Sequence, residues 1–171
     1  LEFFMKGVFN LDPPKPASMA VWSLDSRLAF LVSSHFEPLH LMSLRVVTQK
    51  FLCLLLLATG RRIDEIGNLA QRIDFGIGGK LVSFHWLPDY VPKHFNKNFQ
   101  PHLPSIEGLD SDSVEDLKLC PIRAFQTYLG KCQFNPRGSI NRPLWSGSSK
   151  SLTKLFISTA LQAKHFTGDL S

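Results

Sequence analysis

The sequence predicts a mainly α-helical domain carrying a small antiparallel β-sheet, an α+β fold. Apolar residues recur at helical spacing in five stretches of the chain. Between the third and fourth of them the period changes, and residues 81–87 (LVSFHWL) have the β-branched and aromatic content of a strand. A length of 171 residues suits one domain with a real hydrophobic core.

Taken in order, residues 1–9 are apolar with one lysine and read as the end of a preceding helix. The prolines at 13, 14 and 16 forbid helix and favour an extended linker, so residues 1–18 are set apart from a domain spanning 19–171. Residues 19–32 place Leu24, Leu28 and Leu31 on one helical side, with Ser23 as N-cap. A loop around Pro38 follows. Ser43 caps a second helix over 44–58 that is apolar nearly all round and is therefore expected at the centre. Gly60 ends it, because glycine takes the left-handed conformation that closes a helix. A short third helix is expected over 63–70. Glycines at 76, 78 and 79 separate two apolar segments within 72–87, a hairpin pattern. Residues 95–106, broken by Pro101 and Pro104, are at best an edge strand, giving two or three antiparallel strands in all. Residues 107–115 are polar and acidic and read as exposed loop. Pro121 opens a helix with Ile122, Phe125 and Leu129 on one face, ending near Lys131. Residues 134–145 read as loop, closing on a short extended Pro143-Leu-Trp145. Ser149 or Ser151 caps the last helix, which runs to about residue 165.

Nineteen Lys plus Arg against fourteen Asp plus Glu give a net charge of +5, compatible with a polyanionic partner. Cys53, Cys120 and Cys132 lack CxxC spacing, which argues against a disulfide framework or zinc site and for a reducing, intracellular setting. Cys53 lies in the apolar run as a small core residue. That run is too short to span a bilayer, since Gln49 and Lys50 interrupt it.

The stretch around Gly60 carries the chemistry. Arg61 and Arg62 emerge at a turn between two apolar segments, and a guanidinium fixed there presents a planar fork suited to phosphate oxygens. Two solvated arginines at a helix end are the plainer reading of the same residues.

Thr59, Gly60, Arg62, Glu65, Ile66 and Leu69 match T-G-x-R-x-x-E and its apolar sequel, and so resemble the first box of the tyrosine (phage-integrase-like) recombinases. Lys6-Gly-Val-Phe-Asn10, Pro88-Asp-Tyr-Val-Pro-Lys93 and Leu119-Cys-Pro-Ile-Arg-Ala-Phe125 look like pieces of the recombinases carried by DIRS-like retroelements. The resemblance implies a catalytic-domain fold of that family and breakage and rejoining of double-stranded DNA, as in recombination or integration. It implies attack by a tyrosine on a backbone phosphate without metal or other cofactor, nuclear residence in a eukaryote, and self-association on DNA. Arg62 matches the catalytic arginine whose fork is expected inward over a phosphate-sized hollow beside the hairpin. Glu65 would orient the site. Lys93 is the candidate general acid, with Lys97 and Lys80 as rivals; Arg61, Lys80 and Lys97 are further expected DNA contacts.

The chain also departs from the pattern. No histidine has an arginine three residues later, so H-x-x-R is missing. Tyr90 and Tyr128, the only tyrosines, both precede the place of that box, and Tyr128 sits in a helical pattern where packing is its role. The expectation is a recombinase catalytic domain cut short and inactive alone. A non-catalytic DNA-binding module and a helical protein-interaction scaffold are the alternatives.

Overall fold

In the computed structural model, residues 24–92, 103–132, 139–164 and 166 are described. Ser23, the linker and the residues before it lie outside that set. The first helix, α1, covers Leu24–Val32. It buries Phe30 and Leu31, whereas Leu24 faces solvent rather than the core side the spacing predicts.

The central element is α2, Leu44–Thr59, and both of its ends form for the local reasons the sequence predicts. The Ser43 hydroxyl accepts a hydrogen bond from the Val46 amide at 3.4 Å. Gly60 stands at φ 60°, ψ 13°, and its amide donates to the Leu56 carbonyl. No atom lies within 4 Å of where a Cβ on Gly60 would sit, so Gly60→Ala should cost only the left-handed backbone, about 1–2 kcal/mol. A urea unfolding midpoint unchanged by that substitution would refute this account of the helix end.

Helix α2 packs against α5, Pro121–Cys132, and α6, Ser149–Lys164. Phe51 is fully buried at their junction, with ring centroids 5.2 Å from Phe125 and 5.4 Å from both Tyr128 and Trp145. Proline in the first turn of α5 fits, as its missing N–H is needed by no intrahelical bond there. The cap of α6 is Ser148 rather than Ser149 or Ser151: its hydroxyl accepts from the Ser151 amide at 3.4 Å.

Two expected boundaries move. The third helix, α3, is only Ile63–Gly67, because Asn68 closes it on the Glu65 carbonyl. Leu69 then starts β1, Leu69–Phe75, which pairs with β2, Leu81–Trp86. The ladder slips between Leu69 and Ile73, where Ala70 bridges Pro143 and the Gln71 amide donates to Arg142. Pairing on two sides outweighs the helical spacing of Leu69. The expected extended piece at Pro143 thus borders the start of β1. The second boundary is α4, Val114–Lys118, in what reads as exposed loop; the Ser113 hydroxyl caps it by accepting from the Asp116 amide. β3, Ser105–Glu107, completes an antiparallel sheet of order β1-β2-β3. Ile73, Val82, Phe84, Trp86 and Ile106 turn the inner sheet face into the helical core.

Polar side chains also cross the core. Lys50, expected only as a break in the apolar run, is fully buried and donates to Glu37 Oε1 at 2.5 Å and to the Leu31 carbonyl at 2.7 Å. Arg123 grips the same carboxylate with both Nη atoms, at 2.8 and 2.7 Å. The triad fastens α2 and α5 to the loop after α1.

Candidate functional site

The two residues between Gly60 and α3 carry Arg61 and Arg62, and the closed end of α2 fixes where they emerge. The Thr59 hydroxyl accepts from the Arg61 amide at 3.4 Å. On the other side, Glu65 Oε2 accepts from the Arg62 amide at 3.2 Å. Glu65 is 5% exposed, so its carboxylate braces the turn from within and does not face a ligand.

The arginines then diverge. Arg62 is exposed, and among the described residues no ion pair holds it. Arg61 is the half-buried member, its guanidinium carbon 6.0 Å from the centroid of the Trp86 ring at the end of β2. Tyr90 stacks at an angle on the same indole, with centroids 5.5 Å apart. The Pro88-Asp89 turn after β2 brings it back there. Arg61 and Tyr90 thus both meet the buried Trp86 ring, with Arg62 next to Arg61 in the chain, a grouping that the resemblance did not include.

The electrostatics of Tyr90 limit its chemistry. Desolvation raises its pKa above the ordinary phenol value, and the carboxylates of Glu65 and Asp64 raise it further against the pull of Arg61 and Arg62. A phenol pushed upward is no readier nucleophile. Tyr128 is also excluded: it is buried, its hydroxyl donates to the Leu144 carbonyl at 2.9 Å, and burial drives its pKa up. A hollow of about 310 Å³ beside Tyr90 is bordered by Asn68, Asp89 and Asn141, and neither arginine lines it.

Lys80 does not join this surface. It lies at the other end of the hairpin, just before Leu81, which at the usual strand rise is about 17 Å from Trp86, and it pairs with Asp110 at 2.6 Å. Lys93 and Lys97 lie outside the described residues. Among the described residues no cluster of His, Cys, Asp or Glu could hold a metal ion, and no helix is long and apolar enough to cross a membrane. Cys53 is buried against α6, and desolvation pushes its thiol up to about 12, which suits a packing residue. Comparison with family models, curated proteins and solved structures finds no match to this chain.

Proposed function

We propose that the chain is part of a DNA breaking-and-rejoining domain of the tyrosine recombinase type, of the kind carried by mobile elements. In this reading it binds the backbone of double-stranded DNA and turns over nothing by itself. The observation that carries it is the braced turn, on which exposed Arg62 follows half-buried Arg61, whose guanidinium lies by the Trp86 ring. Adjacent guanidinium groups on a rigid turn can take neighbouring phosphate oxygens without a large ordering cost. The surplus of positive charge supports the same partner. Nuclear residence and self-association on DNA belong to this proposal. The non-catalytic form of binding is favoured by the two tyrosines, one shielded in the core and the other raised in pKa.

Anisotropy titrations of a labelled duplex at several salt concentrations test it. Affinity should fall linearly with salt on logarithmic axes, because phosphate contacts release counterions. Arg61→Ala/Arg62→Ala should weaken binding by roughly tenfold and reduce the slope by about two. A nicked suicide duplex should yield no covalent protein band on a denaturing gel. Wild-type affinity and slope in the double variant would refute the assignment of this surface, and a covalent band would refute the inactive reading.

A further inference from the structure

We propose that a second site, in the cleft between the start of α2, the end of α5 and the first turns of α6, binds a small organic phosphate, an anion joined to an apolar body. The cleft is open and holds about 520 Å³, within the range of roughly 300–1,000 Å³ usual for small-ligand sites. Its rim carries two cations from different helices, Arg45 and Lys154, and no carboxylate borders it among the described residues. Neither cation is in an ion pair with a described residue. Thr48, Ser146 and Ser151 add hydroxyls to the same wall.

The floor is of opposite character. Trp145, 2% exposed and locked by its Nε1–H donating to the Ile66 carbonyl at 2.7 Å, backs it from below, and Leu44, Cys132 and Leu155 form its accessible apolar face. Cations without a described ion pair above an apolar floor select a ligand with both parts: the rim cations take phosphate oxygens and the floor takes the apolar body. A bare anion forfeits the floor, and an uncharged aromatic forfeits the rim. The inference is independent of DNA binding, as neither Arg61 nor Arg62 lines this cleft.

Calorimetric titration of the 171-residue chain with phenyl phosphate tests it. Saturable one-to-one binding is expected, weaker with inorganic phosphate and absent with phenol. Arg45→Gln/Lys154→Gln, two exposed substitutions, should lower affinity for phenyl phosphate by about tenfold or more. It should leave duplex binding unchanged, while Arg61→Ala/Arg62→Ala should leave phenyl phosphate binding unchanged. Absence of saturable heat, equal binding of phenol, or full affinity in the Arg45/Lys154 variant would overturn the site. Loss of duplex binding in that variant would make the cleft part of a nucleic-acid surface and overturn the small-ligand assignment.

Discussion

Replacing Glu37 with glutamine should lower unfolding free energy by about 3–5 kcal/mol, the usual cost of stripping one partner from a buried ion pair. Lys50 is the reason. Its ammonium has no exposed surface, and desolvation already lowers its pKa against the hydrogen bond and charge of Glu37. Glutamine keeps the shape of the side chain but leaves that cation without a counter-charge. Arg123 is less affected, since its half-exposed guanidinium still reaches water. Lys50→Met added to Glu37→Gln should therefore recover part of the loss, because the stranded charge disappears with it. No recovery in urea titrations would place the cost of Glu37→Gln elsewhere.

The same carboxylate gives stability a defined pH dependence. Desolvation acts to raise the pKa of Glu37, but hydrogen bonds from Arg123 and Lys50, together with the Lys50 charge, outweigh it and hold the group at about 2, below its ordinary 4.5. The unfolded chain thus takes up the proton first as pH falls. The contribution is complete above the ordinary value and disappears as pH drops from there through about 2. Over that interval the curves for wild type and Glu37→Gln should converge.

Phe51→Ala should cost a further 3–5 kcal/mol, measured as a lower urea midpoint with the far-UV signal of the native state retained. Phe51 contacts rings from α5, the sheet and the Trp145 segment at once, so its removal opens a cavity that no single neighbour can close. Phe51→Leu, which fills more of the volume, should lose clearly less. Equal losses from the two substitutions would argue against a packing origin.

Features governed by neighbours in sequence were legible beforehand: the Ser43 and Gly60 ends of α2, the proline start of α5, the β-branched and aromatic content of β2 and the core placement of Tyr128. Those set by distant partners were not. Leu69 keeps helical spacing with Ile66, yet it pairs with Trp86 and Leu144, and nothing local announces that competition. Lys50 looks like an interruption because its carboxylate lies thirteen residues back in a loop. At the candidate site, the hydrogen bond by which Glu65 braces the turn spans three residues, whereas the contact of Arg61 with Trp86 depends on a strand distant in the chain. Ser113 followed by Asp116 was a readable start signal for α4.

At the far end of the hairpin, the turn over Ile77–Gly79 projects away from all of these contacts, with Ile77 fully exposed and free space around Gly78 and Gly79. A fluorophore or affinity tag spliced there would hang in water, leaving the packed interior and both proposed ligand sites undisturbed. The protein thereby carries its own attachment point for immobilisation or single-molecule tethering.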